Sequence, residues 1–110
     1  MGGVMATIGG CVLIEPTPSA TVSISIPIDA RDVVAKWTAG ENETIILTGT
    51  QKTGQTLTLL IGNDALARTL TLGTGLVSLG VVVGTALKTA VLTFRSDGTS
   101  FYEVSRTLGL

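Results

Sequence analysis

At 110 residues the chain has the length of a single domain, and a body of this size buries only about two thirds of its unfolded surface on its own. Hydrophobic residues make up 45% and charged residues 14%, against roughly 25% charged in an average soluble domain, so apolar surface is expected to remain for another copy to cover. The net charge of −1 leaves no footprint for nucleic acid or anionic lipid, the lack of histidine removes the usual general base and commonest metal ligand, and a lone cysteine excludes an intrachain disulfide.

The first stretch runs from Met1 through Val4, Ile8 and Cys11 to Ile14, with paired glycines. It has no basic leader and reaches Glu15 and Pro16 too early to span a bilayer, and Ala6 stands where a myristoylation signal needs Ser or Thr. Residues 1–18 are therefore expected to form a flexible apolar arm ahead of a folded domain at 19–110. Val4, Ile8, Val12, Leu13 and Ile14 are its candidate assembly residues, docking on a neighbouring copy, and Cys11 is a small buried hydrophobe.

Strand patterns follow. Val22, Ile24, Ile26 and Ile28 alternate with Thr21, Ser23 and Ser25, the period of a half-buried strand, and Pro27 has no N–H for a ladder, which marks an edge strand or a bulge. Residues 29–32 read as a turn, 33–38 and 43–48 as strands separated by the loop 39–42, and 55–61 as a strand after a turn at 51–54. Asn63 and Asp64 mark a reversal, Ala65 to Ala67 allow one helical turn, 68–72 resumes extended structure, and 76–83 is an apolar run broken by Gly80. Two last strands at 87–95 and 100–106 flank Asp97-Gly98, the strongest short-range hairpin signal in the chain. No segment carries a sustained helical period. The expected fold is all-β: an antiparallel β-sandwich or jelly roll of about eight strands with a flexible N-terminal arm.

Little in the chain suggests chemistry. The pairs Asp29 with Asp32 and Glu41 with Glu43 lack the spaced ligand array of a calcium loop and read as solvated turn carboxylates. Asn42-Glu43-Thr44 matches a glycosylation acceptor, which is uninformative without a secretion signal, and Gly73-Thr74-Gly75 lacks the following helix that a phosphate cradle needs. No catalytic residue, cofactor or metal is expected, so the chain is read as a non-enzyme. Trp37 and Tyr102 are candidate ligand or subunit contacts. Phe101 and Tyr102 are adjacent on a strand, so one should face the core and the other outward.

Residues 53–63, 68–72 and 92–107 together, and above all Phe94, Asp97-Gly98-Thr99, the Phe101-Tyr102 pair and Glu103-Val104-Ser105-Arg106, resemble a β-module recurrent in tailed-phage structural proteins. Similar modules occur in capsid decoration proteins, head fibres and tail fibres. The resemblance covers about the last 60 residues. It implies a homo-oligomer, typically a trimer, made in the host cytoplasm and placed on the virion surface against the major capsid protein or another virion protein. Neither nucleic acid nor membrane is implied as a partner. The Met at position 1 favours a free-standing accessory protein, which places capsid decoration first. Two alternatives stand beside it: a carbohydrate-binding fibre head using Trp37 or Tyr102, with Asn42 and Asn63 in flanking loops, and a filament subunit joined by N-terminal strand donation.

Overall fold

The structure is a computed structural model that describes residues 11–110 together with the backbone of residues 5–8. Among the described residues there are eleven strands and no helix: β1 (Met5–Ile8), β2 (Cys11–Ile14), β3 (Thr21–Ser25), β4 (Asp32–Ala39), β5 (Glu43–Thr48), β6 (Thr56–Asn63), β7 (Thr69–Leu72), β8 (Leu76–Val77), β9 (Val82–Val83), β10 (Thr89–Ser96) and β11 (Phe101–Thr107). The all-β expectation holds.

From β2 to β7 the chain alternates between two facing sheets, and within each sheet the neighbours run parallel. Cys11 stands beside Asp32 and Asp32 beside Thr56 in one sheet, while Thr21 stands beside Thr44 and Thr44 beside Thr71 in the other. Each turn of the chain thus adds one strand to either sheet, the winding of a short two-sided β-solenoid. The winding ends where β10 and β11 form an antiparallel hairpin on β6. The final strand orders are β1-β2-β4-β6-β10-β11-β8 and β3-β5-β7-β9.

This corrects the antiparallel sandwich or jelly roll expected from the sequence. Alternating burial shows that one face of a strand is covered, but it carries no information about the direction of the neighbouring strand. A parallel pair needs a crossover, and here the strand in the opposite sheet supplies it. Three local expectations do hold. The β10–β11 hairpin forms at Asp97-Gly98, with Ser96 opposite Phe101. β3 is the edge of its sheet and stops at Ser25, leaving Pro27 outside the ladder. Phe101 is buried and Tyr102 faces outward, 46% exposed. The helical turn allowed at Ala65 to Ala67 is instead a bend, in which the Leu66 N–H donates to Asp64 Oδ1.

The arm expected over residues 1–18 also needs correction. β2 pairs with β4 along its length, β1 folds back on β2, and Val12 and Ile14 lie in the core. Sequence gave these residues the look of an arm because the stretch is short and flanked by glycines; the parallel pairing with β4 is what fixes it. Leu13 faces outward from β2 and is half-buried. Val4 lies outside the described residues, as does the side chain of Ile8.

Inward side chains form columns across the strands, such as Val12, Val33, Leu57 and Phe94 in the larger sheet and Val22 beside Ile45 in the smaller. Each fully buried Leu, Ile or Phe contributes about 1.5–3 kcal/mol through removal from water. Tight approach fixes one turn: Gly49, after β5, has φ +91°, and a Cβ there would lie 2.8 Å from the carbonyl oxygen of Ile26.

Candidate assembly surface

Trp37 does not form an exposed platform. It points inward from β4, 6% exposed, and its indole N–H donates to Glu43 Oε1 across the gap between the sheets at 2.8 Å. Glu43 sits on β5 beside Leu70, in an inward position, and is buried, so the expected solvated pair with Glu41 is corrected. Its other oxygen, Oε2, has no partner of hydrogen-bond geometry. Burial raises the Glu43 carboxyl above its ordinary range, and the charge of Glu41 adds to the rise. The Trp37 donor opposes it, as does the weaker pull of the Ser19 N–H.

Asn63 likewise is no exposed loop residue. It is buried at the end of β6, its Oδ1 accepts the Arg68 N–H at 3.3 Å, and its Nδ2 donates to the Lys88 carbonyl at 3.3 Å. It therefore ties the loop 64–68 to the loop 84–88, and a side chain on Gly84 would collide with its amide. Asn42 is exposed but occupied, its Oδ1 accepting the Thr69 N–H at 2.9 Å.

A shallow cavity of about 300 Å³ lies between the loop 28–31 and the loop 52–55. Gln55 at its floor has its polar atoms engaged: Oε1 accepts the Lys52 N–H, and Nε2 donates to the carbonyls of Pro27 and Ala30. The arrangement joins two loops. Among the described residues, no group of three or more His, Cys, Asp or Glu side chains could hold a metal ion. Asp29 is exposed, and Asp32 is engaged by Thr56 Oγ1 and Arg31 Nε, the Thr56 bond being the main influence that holds its carboxyl below the ordinary range.

What the fold does build is an apolar face at its C-terminal end. β8 is the edge of the larger sheet and β9 the edge of the smaller, and residues 78–81 connect them across that end. Leu76 and Val82 point into the core, whereas Val77, Leu79, Val81 and Val83 are exposed. Tyr102 stands directly beside Val77, and exposed Val104 follows it on β11. Val104 is the extra residue of a bulge, since Thr93 pairs with Ser105 and Phe94 with Glu103.

Beneath this face the charges are paired. Arg106 donates from Nε and Nη2 to the two oxygens of Glu103, each at 2.7 Å, and the Leu79 N–H adds a third bond to Oε1 at 2.9 Å. Burial pushes the Glu103 carboxyl up, but the Arg106 and Leu79 donors together outweigh it and hold the group below its ordinary range. Arg106 also donates to the carbonyls of Gly80 and Val81, so one ion pair clamps the connector onto β11. The connector thus presents its apolar side chains from a fixed backbone. Sequence reasoning named Tyr102 and missed the other five residues, although the odd-numbered apolar positions from 77 to 83 were its visible signal.

Comparison of the chain with protein-family models, with curated proteins and with solved structures gives no match in any of the three.

Proposed function

We propose that the chain is a virion structural protein of a tailed phage that acts by assembly, most specifically a capsid decoration protein that oligomerises with its own kind on the head surface and contacts the major capsid protein. The observation that carries the assembly part is the exposed apolar end of the strand stack, Val77, Tyr102 and Val104 on the larger sheet with Leu79 and Val81 on the connector, around an internally neutralised Glu103–Arg106 pair. Exposed apolar side chains clustered where the strand stack ends, on the outer face of the larger sheet at Val77, Tyr102 and Val104 and on the connector at Leu79 and Val81, are suited to contact with protein and poorly suited to solvent. The virion setting is supported by the phage-like pattern of residues 92–107, which forms the β10–β11 hairpin at this same end.

The carbohydrate-binding alternative loses its main residue, because Trp37 is committed to the core and to Glu43. Tyr102 remains available and fits a subunit contact equally well. Immunogold labelling of virions with antibody raised against the chain tests the proposal: label on the heads supports decoration, label on tails or fibres moves the protein to that part, and unlabelled particles overturn the virion reading.

A further inference from the structure

The tip of the β10–β11 hairpin carries the one Asp-Gly sequence of the chain, and Asn-Gly is absent from it. The turn requires both residues. Gly98 has φ +96°, and a Cβ there would lie 2.8 Å from Thr53 Oγ1, so position 98 takes glycine. Asp97 Oδ1 accepts the Thr99 N–H at 2.8 Å and the Ser100 N–H at 2.9 Å, which closes the turn through a side chain. The pairing that the turn requires is also the one in which an aspartate rearranges most readily. Glycine has no side chain to obstruct attack by its backbone nitrogen on the carboxyl carbon of the aspartate before it.

The folded hairpin restrains both reacting groups. The Gly98 N–H donates to Ser96 Oγ at 2.9 Å, and Ser96 is buried, its own hydroxyl donating to Gln51 Oε1 at 3.2 Å. The nitrogen that would attack is thus held by an acceptor that is itself fixed. The carboxyl is a poor electrophile as an anion, and the Ser100 and Thr99 amides hold it below its ordinary range, so it stays ionised. The rest of Asp97 is engaged as well: its N–H donates to the Ser100 carbonyl at 3.1 Å, and its carbonyl accepts from Thr53 Oγ1 at 3.0 Å. The torsions that would bring the Gly98 nitrogen onto the carboxyl carbon are therefore tied on each side.

We propose that Asp97 is a modification site gated by the hairpin: it stays aspartate while the tip is closed and rearranges to isoaspartate, through a succinimide formed with Gly98, when the tip opens. In the first step the Gly98 nitrogen bonds to the side-chain carboxyl carbon of Asp97, the nitrogen gives up its hydrogen and the carboxyl its hydroxyl, and these leave as water. In the second step water adds back and breaks the bond between that nitrogen and the backbone carbonyl carbon of Asp97, so the chain runs on through the former side chain. Water is the one co-reactant, and the mass of the chain is restored. The backbone is then longer by a methylene and the carboxylate stands on the former main-chain carbon. That lengthened turn no longer fits a hairpin whose register sets Ser96 opposite the buried Phe101, so the change is kept once made.

The test follows isoaspartate at position 97 by peptide mapping, in which the rearranged peptide keeps its mass and changes its retention. It compares the folded chain, the chain unfolded in urea and the folded Ser96→Ala variant at one pH and temperature. Hydrogen exchange of the Thr99 and Ser100 amides measures opening of the tip in the two folded proteins. Gating predicts conversion in the folded wild type at least about tenfold slower than in urea, the ratio following the fraction of molecules whose tip is open. Ser96→Ala should speed conversion and exchange by the same factor. Equal rates in the folded and the unfolded chain, or no conversion in either, overturn the proposal, as does a variant whose conversion does not follow its exchange. Gln51→Leu, which releases the Ser96 hydroxyl from outside the turn, takes the place of Ser96→Ala should that variant fail to fold.

Discussion

Glu43 illustrates how a single carboxyl can act against the fold that contains it. Its pKa is raised in the folded chain, chiefly by burial, so the proton is held more tightly there than in the unfolded chain. The linked contribution is fully present below the unfolded pKa and is lost as pH rises through the folded value. Asp32, Asp64, Asp97 and Glu103 have the opposite sign: their lowered pKa values favour the fold above the unfolded pKa, and that advantage is lost on acidification. Glu43→Gln keeps an acceptor for Trp37 and removes the ionisation. Urea unfolding should find the variant and the wild type alike well below pH 4.5, the variant gaining on the wild type as pH rises and the gap levelling above the folded pKa; a gap that does not change with pH would mean that Glu43 ionises as easily in the folded chain as in the unfolded one.

Leu87 carries a different kind of tension. Left-handed backbone costs a side-chain-bearing residue about 1–2 kcal/mol, and glycine gives back roughly half of that through its looser unfolded state. Leu87→Gly should therefore leave urea stability unchanged or raise it by up to about 1 kcal/mol. A loss of more than about 1 kcal/mol would show that the leucine is needed for folding.

At the scale of elements, the connector between β8 and β9 depends on one ion pair. The Glu103 side chain is inaccessible to solvent and Arg106 largely so. Removing one partner of such a pair leaves the other charge buried and costs about 3–5 kcal/mol. Glu103→Ala should lose stability on that order and should expose the 78–81 amides to hydrogen exchange, because Arg106 would lose the carboxylate that orients it toward the Gly80 and Val81 carbonyls. Unchanged exchange would show that the connector holds its place without the clamp.

The first coil is the second element that invites a test. Val12 and Ile14 pack in the core on β2, beside Val33 and Ala35 of β4. Deletion of residues 1–18 removes both, at about 1.5–3 kcal/mol for each buried side chain. The truncated chain should unfold at a clearly lower urea midpoint than the full chain. An unchanged midpoint would restore the picture of an arm that docks elsewhere.

At the scale of the whole molecule, the legible and the illegible parts of the sequence divide by the range of the interaction. Alternation at Val22, Ile24 and Ile26, the Asp97-Gly98 turn and the Phe101-Tyr102 pair are local, and each was readable because the period of a strand and the chemistry of a turn are written within a few residues. From these the sequence determined by itself that the chain is all-β, where most strands run, that one of two adjacent aromatics is inside and the other outside, and that apolar surface would be left over.

The tertiary structure alone decided the rest. Parallel winding of β2 to β7 depends on which strand lies beside which across some twenty residues of intervening chain, and side-chain alternation is the same for either direction. The burial of Glu43 and Asn63 followed from inward positions at strand ends, where a polar residue in sequence looks like the start of a loop. The meeting of distant loops was undecided for the same reason. Leu66 and Leu87 are far apart along the chain, and only the tie that Asn63 makes between the loops 64–68 and 84–88 brings their segments together.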